Sequence, residues 1–472
     1  MSYLPRIKIE TQENVTLTQP GAPAIIAIMG TAQWGALNEV KTFNSFANLL
    51  AYYKADASGL TLVRGADISY NNGAFTVKAV RIGHTGFAKS TKALDGNSGG
   101  EVGVLTFSGL YHGTYGDNIL VTVSVQGTGR KLTITDGIAT ESFTNNNATD
   151  GYATNSAIAN AINGNSVLVS VAVKTGSETT NLVDAASNQA LTGGNDGTSG
   201  LVFSDYTTAF DNLLNLEDFD LLTTPGQTSD ADHITMTGKL NTRASSEKKY
   251  AIYLTGVIVD ETIATQKART SSGERLVLIS PSMKYLPSYS STETVIDGSY
   301  LACAVAGAIA KNDVEVAVTR KEISVRGLVV NNATNTYYYN AGELEELLGA
   351  GITPISLISG GIKVARGVTR ITDKSSVYYE IAITRIVDYV KAQVHNKLDG
   401  FLGDPNLERI RNVMAREVDG VLQQDVLDEV IVDYNPTEVA VSTSPDTVIV
   451  NMWIQPTFAI NFINVTLSVT RL

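Results

Sequence analysis

Apolar residues recur at steps of three and four between residues 379 and 401: Tyr379, Ile383, Ile386, Val390, Val394, Leu398 and Phe401. Arg385, Asp388, Lys391, His395 and Asp399 fall on the opposite face, so the spacing predicts an amphipathic helix. A second helix is expected directly after it, with Asp404 as N-cap, Pro405 at the first helical position, and Leu407, Ile410, Met414, Val418, Val421 and Leu422 as its buried stripe. The two pair as a helical hairpin around one apolar seam. Its solvent face is expected to carry Arg385 and Lys391 on the first helix and Arg409 with Arg416 on the second, the latter two spaced to share a side.

At both ends of the chain the period changes from helical to two. Val448, Val450, Met452 and Ile454 alternate on one face of a predicted strand; after Pro456 come Phe458, Ile460 and Phe462, and then Val465, Leu467 and Val469 with the parity slipped at Ile463-Asn464. Ile7 and Ile9 alternate in the same way near the start, between Pro5 and Pro20-Gly21. A terminal strand with this pattern either closes its own sheet or remains an edge that pairs with another chain. The pattern alone leaves both readings open.

Between these ends the texture shifts. Residues 86–200 are rich in Gly, Thr, Ser and Asn, with strand-like runs at 101–107, 119–125, 131–135 and 166–173 and a short helix near 154–162, which predicts an inserted β-rich domain. From 201 to 374 helix and strand patterns alternate. Tyr206, Phe210, Leu213 and Leu214 mark a helix that feeds a buried strand at 218–223. Such alternation predicts a layered α/β core.

Several segments, in serial order, resemble one family. PAIIAIMGTAQWGALNEVKTFNSFANLLAYY at 23–53 gives a buried strand, a turn at Gly30, Ala32 and Gly35, and an expected helix bearing Phe43, Phe46, Leu50 and Tyr53; VKAVRIG at 77–83 is a second strand. GLYHGTYGDNILVTV at 109–123, SYLACAVAGAIAKND at 299–313, GELEELLGAGITPI at 342–355 and the helical hairpin leading into a V-x-x-D strand complete the series. Together they resemble the contractile tail sheath proteins of tailed phages, R-type tailocins and type VI secretion machines. Asp117, inserted before Asn118, departs from the family pattern.

The resemblance implies an α/β layered core with an inserted β-rich domain, and extended N- and C-terminal arms forming intersubunit strands. It divides the chain into an N-terminal arm (1–22), the first part of the core (23–85), the insert as an outer domain (86–200), the second part of the core (201–374), the helical hairpin and strand (375–440) and the C-terminal strands and arm (441–472). It further implies a subunit that stacks as rings around an inner tube and contracts to drive that tube through a cell envelope. Partners would be other copies of the chain, the inner tail tube protein, and baseplate and tail terminator proteins. Ile7, Ile9, Val465, Leu467 and Val469 would be the intersubunit arm residues; Arg385, Lys391, Arg409 and Arg416 would face the tube. The expected location is the virion tail, assembled in the host cytoplasm.

Composition narrows the alternatives. Among 472 residues only 17% are charged, 43% are hydrophobic and 41 are glycine, a balance suited to several cores and many turns. The net charge of -12 argues against coating nucleic acid, which needs a basic footprint. The longest apolar run, LACAVAGAIA, is too short to cross a bilayer, and MSYLPRIKIE lacks an apolar signal core. Cys303, the one cysteine, sits in an Ala-rich run and is expected to be core packing.

Candidate chemistry is sparse. His84, His112, His233 and His395 lie in unrelated segments. Asp230-Ala231-Asp232-His233 reads as a helix N-terminus rather than a cation site. Gly96-Asn97-Ser98-Gly99-Gly100 matches a nucleophile elbow only formally, and Ser359-Gly360-Gly361 leads into a strand instead of a helix N-terminus. Neither catalysis nor a cofactor is expected. The competing reading is a secreted or surface β-rich carbohydrate-binding protein, suggested by the Thr/Asn-rich insert and the sequon Asn147-Ala148-Thr149.

Overall fold

A computed structural model describes residues 24–55, 59–98, 100–145, 150–331, 337–441 and 447–461. Its centre is an eight-stranded sheet in the order Gly361–Val364, Ile352–Ile358, Leu276–Ser280, Ile252–Gly256, Leu221–Thr223, Ile26–Gly30, Val77–Arg81 and Val40–Phe43. The inner strands run parallel and each edge strand is antiparallel to its neighbour. Parallel strands are covered on both faces, which is why they read as continuous apolar runs. Alternation then assigns the faces: Ile26 and Ile28 point into one core, Ala27 and Met29 into the other.

The helix Gly298–Ala310 lies in the first of these cores with every residue buried, packed against the sheet and against the helix Leu62–Asn71. Cys303 is fully buried within it, and burial pushes its thiol up to about 12, far from a reactive thiolate. The second core is covered by Phe203–Ala209, the π turn Phe210–Leu214 and the long helix Asp230–Ser246. Phe43 ends an edge strand and the following helix starts at Phe46, contrary to the expected helix from Phe43. Ser45 caps that helix by accepting from the Asn48 amide, which fixes its start three residues past the end of the strand.

Residues 91–190 build a separate core from a four-stranded and a three-stranded sheet with the helix Asn155–Asn165. The chain enters and leaves this region side by side, since Ala88 bridges Asn195 and the His84 amide donates to Gly197. Trp34, from the central part, is buried in the insert's own core, 5.4 Å from Tyr111 and 5.5 Å from Tyr115 by ring centroids. Arg81, fully buried, donates to the carbonyls of Gly35 (2.8 Å) and His112 (2.7 Å), and Lys54 pairs with Asp136 at 3.1 Å. Gly113 has φ 130°, and a Cβ there would lie 2.1 Å from the Gln33 carbonyl oxygen. Only glycine permits that approach of insert to core.

The helices Ile381–Asp399 and Glu408–Leu427 form the hairpin. Ile383, Ile386, Val390 and Val394 meet Val418, Val421 and Leu422 in a fourth core. The second helix starts later than expected, with Leu407 at the N-cap position and no side-chain cap. The Leu407 amide donates to the Pro405 carbonyl (2.7 Å), a tight turn that keeps Asp404 and Pro405 out of the helix. Leu407 is accordingly 46% exposed rather than buried. After the helices come two antiparallel strands: Ile431–Val441 packs on the second helix, and Val448–Pro456 touches the first.

Candidate functional site

The first half of the polar face of the first C-terminal helix, Arg385 to Lys391, is turned toward the rest of the chain, whereas Asp399 at its end is exposed. Asp388 is buried and accepts two hydrogen bonds from Arg275, at 2.6 and 2.8 Å, joining the helix to the residue that precedes a central strand. Arg385 donates to the Asp313 carbonyl at 3.3 Å; burial pulls its guanidinium below the usual range, an effect offset by Asp220, Glu315 and Asp313. Lys391 stands 5.7 Å from the Tyr378 ring centroid and 6.0 Å from that of Tyr250. Both are half-buried, so the expected solvent-facing positions of Arg385 and Lys391 are corrected. Each is engaged by the central part of the same chain, Arg385 through Asp313 and Lys391 through Tyr250, with Tyr378 close by in sequence.

Arg409 and Arg416 do lie on the exposed side of the second helix, with Val413 between them, 39% exposed. Inside the seam a carboxylate is buried: Asp425 accepts from Gln393 Nε2 at 2.9 Å, while its other oxygen has no partner among the described residues. Burial pushes the Asp425 carboxyl up to about 6; the Gln393 hydrogen bond opposes this and nearby Asp428 adds to it.

The terminal hairpin has two unlike faces. Tyr434, Val450 and Ile454 pack toward the helices, whereas Val432, Ile449 and Trp453 are exposed at 54, 46 and 49%. Among the described residues it is a sheet of two strands, leaving the outer edge of each without a ladder partner. The chain continues to Asn461 with Phe458 and Ile460 exposed at 54 and 83%. Ile7, Ile9, Phe462, Val465, Leu467 and Val469 lie outside the described residues, as does Asn147-Ala148-Thr149.

The residues weighed for chemistry have structural partners. Asp230 opens its helix and accepts from the Thr270 amide (2.7 Å) and hydroxyl (2.9 Å), fixing the helix start to a loop. His233 is fully buried with Nε2 2.9 Å from Thr255 Oγ1; burial lowers its pKa to about 4, which leaves it neutral at pH 7. Ser98 bonds Asn181 in a loop, and Ser359-Gly360 is the turn between the strand Ile352–Ile358 and the antiparallel edge strand Gly361–Val364. Among the described residues no group of three or more His, Cys, Asp or Glu side chains could hold a metal ion, and no helix is long and apolar enough to cross a membrane.

Solved structures share this fold over nearly its whole length. The sheath tail protein of Desulfitobacterium hafniense aligns with a TM-score of 0.67 at 16% identity, covering 96% of this chain and 97% of that one. The Listeria innocua sheath tail protein gives 0.67 at 18% identity, with 93% of each chain covered. The helical sheath of the anti-feeding prophage in its contracted state gives 0.52 at 10% identity over 99% of both. No curated protein matches by sequence. The sequence profile of the phage tail sheath protein central domain matches residues 201–370. That match covers about a third of the chain, and the solved sheath structures share the fold of nearly all of it.

The profile falls on the part of the chain that supplies five of the eight sheet strands: Leu221–Thr223, Ile252–Gly256, Leu276–Ser280, Ile352–Ile358 and Gly361–Val364. Arg275 ties the hairpin to that domain, and beyond it lie two strand edges that have no ladder partner among the described residues. Local periodicity had shown the apolar seam of the hairpin but not the docking of its charged face. Arg275 and Asp313 come from 113 and 72 residues away, and no short-range signal marks them.

Proposed function

We propose that the chain is a structural subunit of a contractile sheath, stacked as rings around an inner tube, that drives the tube through the target cell envelope when it contracts. The observation that carries this is the tail sheath central domain at residues 201–370, set in a fold shared end to end with sheath subunits, one of them from a contracted helical sheath. Its partners are copies of itself, an inner tail tube protein, and baseplate and tail terminator proteins; it works in the tail of a virion or related particle and is assembled in the host cytoplasm. It is no enzyme in this reading. The carbohydrate-binding alternative has nothing to recommend it beyond composition.

Residues 1–22 and the end of the C-terminal strands-and-arm segment 441–472 act as arms, with Ile7, Ile9, Val465, Leu467 and Val469 completing sheets in neighbouring subunits. The two outer edges of the terminal hairpin, without a ladder partner among the described residues, support this, since added strands are recognised through main-chain hydrogen bonds. The core divides at 23–85 and 201–374, the insert at 86–200 forms the outer domain, and 375–440 carries the hairpin. Arg409 and Arg416 face the tube; Arg385 and Lys391 contribute charge beside the docking seam. Contraction then requires rigid bodies joined through strands that tolerate two packings. Sedimentation of the purified chain tests the assignment: polymers that pellet support it, and a monomer at every concentration and salt refutes it.

A further inference from the structure

The last described residues are tied to the subunit at two points. Thr457 donates from its amide to the Val430 carbonyl (3.3 Å) and from Oγ1 to the Glu429 carbonyl (2.6 Å). Four residues on, Asn461 Nδ2 donates to Glu380 Oε1 at 2.7 Å. The same Glu380 oxygen receives Arg366 through Nε (3.2 Å) and Nη2. Glu380 is 7% exposed, a burial that an unpaired carboxylate would not tolerate. Between the two ties the side chains alternate, with Phe458 and Ile460 exposed and Ala459 and Asn461 half-buried.

Glu380 is also where three parts of the fold converge. It immediately precedes the helix Ile381–Asp399, its backbone bridges Val368, and Arg366 lies two residues beyond the sheet strand Gly361–Val364 and over the Tyr379 ring at 5.2 Å. A pull on residue 461 would therefore pass to the central sheet and to the first helix together, and would not be spent on peeling the terminal hairpin.

We infer that the Arg366–Glu380–Asn461 clamp is the root of the C-terminal arm: it sets where the chain leaves its own subunit to reach a second copy, and it passes tension between subunits into the central sheet. This rests on the sheath reading. Asn461 is a positioning residue, since it acts by holding the path of the chain through Glu380. A hydrogen bond to a carboxylate of this kind is worth about one to two orders of magnitude in an equilibrium constant.

The test compares the full chain with Asn461→Ala and Asn461→Asp, the second placing a like charge beside Glu380. In the monomer, chymotrypsin should cut after Phe458 about tenfold faster in Asn461→Asp, and less so in Asn461→Ala, while the melting temperature stays at the wild-type value. The concentration needed for polymerisation should rise by a similar factor. Equal cleavage rates in all three proteins would overturn the clamp, as would faster cleavage with unchanged polymerisation. A wild-type chain that never polymerises would instead sink the sheath reading, and the cleavage rates would still decide whether the clamp exists.

Discussion

Arg275 and Asp388 form a two-pronged ion pair, 2.6 and 2.8 Å long, with 3% and 8% of the residues exposed. It joins the strand region of the central domain to the first C-terminal helix, 113 residues away in sequence. Removing one partner strands the other as a buried charge. Asp388→Ala should therefore lower unfolding free energy by about 3–5 kcal/mol in chemical denaturation, and Arg275→Met with Asp388→Leu should recover most of the loss. Recovery identifies the cost as an orphaned charge rather than lost packing. A double variant no better than Asp388→Ala would contradict this.

Asp425 predicts an unusual pH dependence for the hairpin. Its folded pKa, about 6, lies above the ordinary carboxyl value of 3.8. The folded state thus holds the proton more tightly than the unfolded one. The stabilisation is complete below pH ~4 and is lost as pH rises through ~6, with a full span on the order of 3 kcal/mol. Asp425→Asn, which keeps the polar contact to Gln393 without the charge, should melt higher than wild type at pH 7 and lose this slope. Parallel stability curves between pH 4 and 7 would show that the carboxyl is not buried as described.

The insert can be removed only with attention to what it covers. Ala88 and Asn195 are bridged, so a short Gly/Ser linker replacing 87–199 closes without strain, and if the insert is an outer domain the lattice should survive. Trp34 is 2% exposed because the insert's core surrounds it, and Lys54 would lose Asp136. The deletion should aggregate as made and become soluble with Trp34→Ser added. Loss of polymerisation in the soluble, folded version would show that the insert takes part in the lattice.

Arg409 and Arg416 give the tube contact a direct test. Their changes to Glu should leave the melting temperature nearly untouched, as exposed charges contribute at most ~1 kcal/mol each to the fold. Co-assembly on the tube at low salt should fall much further, because each weak contact is repeated over many subunits. Unchanged co-assembly would assign the tube contact to another surface.

Much of the layered core was legible because its signals are local. The run at 299–313 yields a helix buried on every side, the alternation at 26–29 divides its residues between two cores, and the hairpin seam holds Val390, Val394, Val418 and Leu422 as the spacing requires. What was illegible depends on distant partners. Asp388 and Lys391 look like a solvated helix face until Arg275, Tyr250 and Tyr378 are brought against them, and Trp34 gives no sign that it belongs to the insert's core. Asp404-Pro405 carried a strong helix-start signal, yet the turn closed by Leu407 and Pro405 delayed the helix to Glu408. Asn461 meets Glu380 across 81 residues, a contact no spacing rule could anticipate.

The most direct measurement is electron microscopy of the purified full chain beside variants lacking residues 1–18 or 458–472. Rings or long striated tubes from the full chain, with folded and monomeric particles from both truncations, are the predicted result. Removing ladder bonds shared with a neighbour abolishes assembly without unfolding the core. If the terminal strand instead closes its own sheet, the C-terminal truncation loses its melting transition. Dispersed full-chain particles that bind glycans, or intact tubes from both truncated forms, would contradict a sheath woven together by its arms.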